Sequence, residues 1–218
     1  MKIKWYGHAA FLITSDKGVK IVTDPYEPGA FDGQLSYGRI NDPVDIVLVS
    51  HDHADHNYTK DFPGSPRIIK GSGSKSIKGI AVKGVPTFHD PSGGKERGEN
   101  TVFTMNIDGI QVCHLGDLGH VLSQKELAEI GPVDILLSPV GGLYTIDPKE
   151  ATRNAELMNP KVVIPMHFKT GKCGFPLASV EDFLLGKTRV KRPGSSEAVF
   201  DKASLPEQME IVVLTHAL

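Results

Sequence analysis

The chain has 218 residues, which is enough for one well-buried domain and too short for two full ones. Its 39% hydrophobic and 23% charged residues are typical of a globular protein and exclude a disordered or fibrous chain. A formal net charge of -2, without a dense basic stripe, argues against binding of nucleic acid through its phosphates. We therefore expect a single domain over residues 1–218 that acts on a small-molecule partner and not on nucleic acid.

The N-terminal segment does not resemble a targeting signal or a membrane span, because its apolar run is short and His8 interrupts it. The two cysteines, Cys113 and Cys173, are too few for a disulfide framework, which agrees with a reducing compartment. These features predict a cytoplasmic protein without a membrane partner, and they leave its oligomeric state open.

Short runs rich in valine and isoleucine predict strands along most of the chain. The first five cover residues 2–6, 11–14, 19–23, 45–50 and 80–85. Five more cover residues 101–107, 110–114, 134–138, 161–165 and 210–214. Strands come first in bulk and helices are interspersed later, which favours two sheets packed face to face with helices outside.

Three helices are predicted over residues 123–130, 147–158 and 179–185. The first opens with a capping box of Ser123 and Glu126, and the second opens with Asp147-Pro148. Clusters of glycine and proline predict loops at residues 25–38, 63–73, 91–98 and 191–196. Residues 71–76 lack the spacing of a Walker motif, so they predict a flexible turn and not a phosphate loop.

The strongest chemical signal is the histidine-rich segment directly after the strand predicted at residues 45–50. His51 and His53 point the same way on an extended segment and can hold one metal ion, while the following turn brings Asp55 and His56 toward a second. Imidazole and carboxylate ligands suit zinc, iron, manganese or nickel. We favour this site over the alternative of a polar loop that is rich in histidine by chance.

Three further candidate ligands each stand just past the end of a predicted strand, namely His89, Asp117 and His167. At that position neighbouring strands of one sheet can converge on a shared cleft. Alone, each would more often be an ordinary core or surface residue. Together with the histidine-rich segment they predict one common site.

The order His51-x-His53-x-Asp55-His56, followed by His89, Asp117 and His167, resembles the metallo-β-lactamase superfamily. Local similarity, such as His114-Leu115-Gly116-Asp117, is to a branch of metal-dependent hydrolases related to the L-ascorbate-6-phosphate lactonase. The resemblance implies an α+β fold, a four-layer αββα sandwich of two mixed sheets with outer helices and the site along one edge.

The resemblance also implies two divalent metal ions, with zinc favoured and manganese, iron or nickel as alternatives. His51, His53 and His89 would bind the first ion, and Asp55, His56 and His167 would bind the second, with Asp117 as the bridge. Asp55 would in addition act in catalysis by orienting the attacking water or relaying its proton.

Three more residues are candidates for holding a ligand in place or touching substrate: His8, Asp24 and His120. For Asp24, capping of the turn before Pro25 is an equal alternative. For His120 the alternative is an ordinary solvated loop residue, and His114 is expected to be a hydrogen-bonded residue inside a strand.

We therefore predict a metal-dependent hydrolase that activates water against a small-molecule ester, lactone or phosphoester. The alternatives are a small phosphodiesterase or nuclease and a non-catalytic metal-binding protein on the same fold, although the complete ligand set argues against the latter. Four basic residues could add positive charge at the mouth of the cleft and favour an anionic substrate, namely Lys95, Arg97, Lys169 and Lys172. Ordinary solvated side chains are the alternative for these four.

Overall fold

The computed structural model describes residues 1–218, and its strands form two mixed sheets. The six strands of the first sheet are β1 (Lys2–Gly7), β2 (Ala10–Thr14), β3 (Lys20–Thr23), β4 (Ile46–Val49), β5 (Arg67–Lys70) and β13 (Glu197–Val199). They pair in the order β13-β1-β2-β3-β4-β5. Strands β3, β4 and β5 run parallel, and the other neighbours run antiparallel.

The second sheet has eight strands, in the order β12-β14-β11-β10-β9-β8-β7-β6. They are β6 (Gly73–Ile77), β7 (Ile80–Phe88), β8 (Glu99–Ile107), β9 (Ile110–His114), β10 (Ile135–Pro139), β11 (Val162–Met166), β12 (Val190–Lys191) and β14 (Glu210–Val212). Strands β9, β10 and β11 are parallel, and β8 is antiparallel to both β7 and β9. The carboxyl ends of β7, β9 and β11 therefore lie at the same edge.

The helices are few and short. Together with the two mixed sheets, they agree with the predicted α+β sandwich of the metallo-β-lactamase type. They are α1 (Ala30–Gly33), α2 (Gln124–Ile130), α3 (Pro148–Met158), α4 (Val180–Leu184) and a 3₁₀ turn (Lys202–Ser204). The predicted capping box at Ser123 and Glu126 is confirmed, since each side chain satisfies a backbone N–H of the other residue. No helix in the chain combines the length and the apolar character that crossing a membrane requires.

The main apolar core lies between the two sheets, where side chains such as Phe11, Leu48, Phe103 and Leu137 are fully buried. All four residues of β4 are buried because this strand is covered on both faces. The backbone N–H of Thr101 donates to the carbonyl of Ser50 (3.0 Å), which ties the second sheet to the end of β4. The segment after β4 is thereby held at the edge where β7, β9 and β11 end.

Two predictions at the sheet edges are wrong. The predicted loop over residues 63–73 contains β5, and the predicted flexible turn over residues 71–76 contains most of β6. Both strands lie at sheet edges and expose most of their side chains, so they lack the apolar runs that marked the other strands. Strand β6 is held instead by antiparallel pairing with β7 across a Lys78-Gly79 turn, in which both residues have positive φ.

The N-terminus of α3 offers a test of local stability. Asp147 accepts hydrogen bonds from the backbone N–H groups of Lys149 and Glu150 (2.8 Å each), so Asp147→Ala should lower the free energy of unfolding by about 1 kcal/mol. Urea denaturation measures the change. Lys149→Ala, which removes an exposed side chain from the same turn, is the control; an equal loss in both variants would contradict the capping role.

Candidate metal centre

The carboxylate of Asp117 is the centre of the cluster at this sheet edge. Its Oδ2 lies 3.1 Å from His56 Nε2, 3.3 Å from His89 Nε2 and 3.5 Å from His167 Nε2. The distance to His51 Nε2 is 3.9 Å. The fold thus brings residues that are far apart in sequence to one buried carboxylate.

The candidate ligands fall into two groups, and Asp117 lies near histidines of both. One group consists of His51, His53 and His89, and the other consists of His8, Asp55, His56 and His167. Within each group, one ligand atom per residue lies within 4.8 Å of the others, which is close enough to hold a metal ion. The seven residues predicted as ligands are therefore together, and His8 lies among them.

The donor atoms of the cluster fit divalent metal ions. Six buried side-chain atoms here lack a hydrogen-bond partner, namely His8 Nδ1, His51 Nε2, His56 Nε2, His89 Nδ1, His167 Nδ1 and Asp117 Oδ1. Each such atom costs about 1–3 kcal/mol when buried without a partner, so a concentration of them requires an explanation. Imidazole nitrogens and carboxylate oxygens at one site match the ligand preferences of zinc and related metals.

Asp24 orients two of the candidate ligands. Its Oδ2 accepts hydrogen bonds from Ser50 Oγ (2.6 Å) and His56 Nδ1 (3.0 Å), so His56 Nε2 is the ring atom that faces Asp117 and the cluster. Because the Ser50 hydroxyl donates to Asp24, its oxygen accepts from His51 Nδ1 (2.8 Å), which leaves His51 Nε2 free. The structure thus places the Asp24 carboxylate behind the cluster, bonded to His56 and linked through Ser50 to His51.

The electrostatics of the cluster divide its histidines. Burial lowers the pKa of His51 to about 3 and that of His167 to about 3, so both rings are neutral at pH 7, as metal binding needs. Burial by itself would also lower the pKa of His56, but Asp117 and Asp55 raise it well above its usual range, so this ring would release a proton on binding a cation. Burial by itself would raise the pKa of Asp117, but His167 and His56 beside it hold that pKa well below its usual range.

His8 is more central than the sequence indicated. It is buried, and its Nε2 lies 3.1 Å from Asp55 Oδ2. Burial would raise the pKa of Asp55, but His56 and His8 lower it strongly, so the carboxylate is ionised and can only accept. His8 Nε2 therefore carries the proton and orients Asp55. Left-handed backbone at His8 (φ 51°), Asp24 (φ 39°) and His167 (φ 51°) is strain of the kind that gathers at functional sites.

Two other histidines are satisfied by the backbone and lie outside the cluster. His114 Nε2 bonds the carbonyl of Ala9 (3.0 Å), and its Nδ1 accepts from the N–H of Gly116 (3.1 Å). His120 Nε2 accepts from the N–H of Phe88 (3.3 Å), and its Nδ1 bonds the carbonyl of Val121 (3.1 Å). His114 is thus the hydrogen-bonded strand residue that was expected, while His120 has no ring nitrogen free for substrate.

Sequence reasoning missed Asn100, which fixes the backbone around Asp117. Its Oδ1 accepts from the N–H of Asp117 (3.0 Å), and its Nδ2 donates to the carbonyl of Leu115 (2.9 Å). Gly116 must be glycine here, because its φ is 57° and a Cβ would collide with Asn100 and Ser50. The Gly-Asp pair in the sequence was a signal for this close approach, but the buried asparagine on β8 carried none.

The cluster opens into a cleft of about 370 Å³, within the range of small-molecule sites. Beyond the candidate ligands, its walls include Phe31, Arg97, Tyr144 and Phe175. Of the four basic residues that were predicted at the cleft mouth, Arg97 alone lines this cleft. Lys169 instead donates from Nζ to the carbonyl of Phe175 (2.9 Å).

Comparison with known proteins agrees with this architecture. Residues 2–167 match the family model of the β-lactamase superfamily domain. A UPF0173 metal-dependent hydrolase from Pyrococcus abyssi is 33% identical over 196 residues, which are 78% of this chain and 85% of the relative. Another, from Pyrococcus furiosus, is 32% identical over 230 residues, covering 90% of this chain and 98% of the relative.

A solved structure from Thermotoga maritima is similar over nearly its whole length. It is described as a Zn-dependent hydrolase of the metallo-β-lactamase superfamily and has 41% identity and a TM-score of 0.82, covering 98% of this chain and 97% of its own. The relation to the L-ascorbate-6-phosphate lactonase stays a prediction. The family match, the relatives and the sandwich with its His/Asp cluster lead to one conclusion: the chain belongs to the metallo-β-lactamase superfamily, among homologues named as metal-dependent hydrolases.

Proposed function

We propose that the chain is a hydrolase that uses two divalent metal ions to activate water against a small-molecule ester, lactone or phosphoester. The observation that carries the proposal is the position of Asp117, whose carboxylate lies within 3.9 Å of histidines of both groups, which have unpartnered buried nitrogens. A carboxylate in that position can bridge two cations. The names of the relatives, metal-dependent hydrolases, agree with it.

Zinc is the metal that the donor set favours. His51, His53 and His89 offer three imidazoles, and His56 and His167 add two more beside the carboxylates. The description of the Thermotoga maritima relative as Zn-dependent supports the same choice. Manganese, iron and nickel remain the alternatives that elemental analysis would distinguish.

When bound, two divalent cations supply an activated water molecule and a Lewis acid for the attacked carbonyl or phosphoryl group. The side chains of this protein prepare the site for that chemistry. Asp117 and Asp55 stay ionised and offset the charge of the cations, while His8 fixes the orientation of Asp55. Asp55, which reaches the cleft, can accept a proton from the attacking water and pass it to the leaving group.

The shape of the cleft favours small molecules over nucleic acid. Its volume of about 370 Å³ suits a compact ligand, and its walls carry one arginine and three aromatic rings instead of a basic stripe. A phosphodiesterase that acts on a small diester fits the same cleft, so the assay panel should include lactone, thioester and phosphodiester compounds.

Replacement of the bridging carboxylate should remove the metal. Asp117→Asn keeps the size of the side chain but loses its charge. We expect metal affinity to fall more than about 100-fold, which exceeds the loss typical when a residue that only orients a metal ligand is replaced. Elemental analysis after dialysis against a metal buffer measures it. Asp52→Asn, which changes an exposed carboxylate paired with Lys70, should keep both ions. Equal metal content in the two variants would contradict the bridging role.

Asp55 should affect both metal content and turnover. Asp55→Ala removes a ligand of the second ion and the proton acceptor, so we expect that ion to be lost and hydrolysis to fall by about 10²–10⁴-fold. Full metal content with full activity would rule out both assignments. Elemental analysis and initial rates on the active compound of the panel give the answer.

Replacement of Asp24 should lower metal affinity although Asp24 is not itself a candidate ligand. Asp24→Asn weakens the bonds that orient His51 and His56 without removing a ligand, and we expect metal affinity to fall about 10–100-fold. Activity should return when excess metal is added. If Asp24 only caps a turn, the free energy of unfolding would change while the metal affinity of the folded protein would not.

A further inference from the structure

Arg97 is the arginine of the cleft, and it has no carboxylate partner in the chain. Arg39, Arg153 and Arg192 each pair with a carboxylate, whereas Arg67, Arg97 and Arg189 do not. The Arg97 guanidinium instead lies over the ring of Tyr144, 3.9 Å from its centroid, on the wall that also contains Asp55. Stacking on the aromatic face restrains the guanidinium but leaves its N–H groups free to donate.

The backbone that carries Arg97 is held by Asp90, the residue after the candidate ligand His89. The buried carboxylate of Asp90 accepts four backbone N–H groups, those of Ser92, Gly94, Glu96 and Arg97 (2.8–3.0 Å). The loop closes further where His89 N–H donates to the carbonyl of Gly98 (3.0 Å). Arg97 is thus fixed relative to the metal centre, and a ligand would lose little binding energy in ordering it.

An aromatic wall, which consists of Phe31, Tyr144 and Phe175, stands beside Arg97. The ring of Phe175 contacts those of Phe31 (5.4 Å between centroids) and Tyr144 (6.2 Å). Phe31 is 46% exposed and has a left-handed backbone (φ 55°), although burial would stabilise it. An exposed aromatic ring held in strain at the rim of a cleft is suited to contact with a ligand.

We propose that Arg97 binds an oxyanion of the substrate, a carboxylate or a phosphate, and that the aromatic wall packs against an apolar part of the same molecule. The inference rests on the proposed function, in which this cleft receives the substrate. A guanidinium donates two parallel hydrogen bonds to either oxyanion. The substrate class is thus a small anionic ester or lactone with an apolar substituent, and Arg97 determines specificity.

Binding of stable amide analogues to the metal-loaded protein tests this without turnover. Three compounds share a 4-nitroanilide: glutaric acid mono-4-nitroanilide, its neutral N-methylamide, and 4-phosphonobutanoic acid 4-nitroanilide, which has a phosphonate in place of the carboxylate. Calorimetry gives their Kd values for the wild type, for Arg97→Gln and for the control Arg189→Gln, which makes the same change away from the cleft. Metal content is measured in each protein.

We expect Arg97→Gln to weaken the preferred anionic analogue by about tenfold or more, as for loss of a hydrogen bond between charged groups. Binding of the neutral N-methylamide should stay within about twofold, and Arg189→Gln should change neither. The larger loss, for the carboxylate or for the phosphonate, identifies whether the oxyanion is of the carboxylate or the phosphate type. Phe31→Ser should weaken all three analogues by a similar factor, because it removes apolar contact and no charge.

The inference is overturned if Arg97→Gln affects anionic and neutral analogues equally, if it affects none, or if no analogue binds to the metal-loaded wild type. A different result would contradict the proposed hydrolysis. In that case the corresponding 4-nitrophenyl esters are not cleaved by the metal-loaded wild type, whereas the dependence of anion binding on Arg97 is still measured.

Discussion

The structure depends on the burial of one carboxylate, that of Asp117, among histidine rings. A buried anion is costly unless its neighbours compensate for it, and here the compensation comes from His56, His89 and His167, whose nitrogens lie 3.1–3.5 Å from Oδ2. Rings that surround an anion in this way would satisfy it better if they were protonated. Burial opposes that for His167, whose pKa falls to about 3. In the proposed function, divalent cations held by these residues would satisfy the rings and the carboxylate at once.

The two sheets serve this arrangement by bringing the ends of β4, β7, β9 and β11 together. No single segment could surround Asp117, since the ligands are separated by long stretches of chain that form the core. Close approach between the segments that carry the site requires glycine at two positions. Gly116 lets Ser50 and Asn100 approach the segment that carries Asp117, and a Cβ at Gly141 would collide with the carbonyl of His167. The rigidity of the site is therefore a property of backbone packing as well as of its hydrogen bonds.

The sequence predicted the buried strands, the main helices and the candidate ligands because each of these has a local signal. Apolar runs marked strands such as β4 and β11, and capping residues marked α2 and α3. Edge strands β5 and β6 were missed since partner pairing holds them and they have little apolar burial of their own. His8 and Asn100 were underestimated or missed for a related reason: their importance comes from contacts with Asp55 and Asp117, which lie far away in the sequence.

The candidate ligands and the side chains that line the rest of the cleft are carried by different kinds of segment. Candidate ligands lie at the ends of buried strands and are held by second partners such as Asp24, so their geometry changes little without loss of the fold. The aromatic wall and Arg97 are carried by loops and by the short, irregular α1, in which Phe31 and the loop residue Leu143 have left-handed backbone conformations. Substitutions in these loops alter the cleft without disturbing the core. In the proposed function, the strand ends therefore determine the chemistry of the site, and the loops determine its choice of substrate.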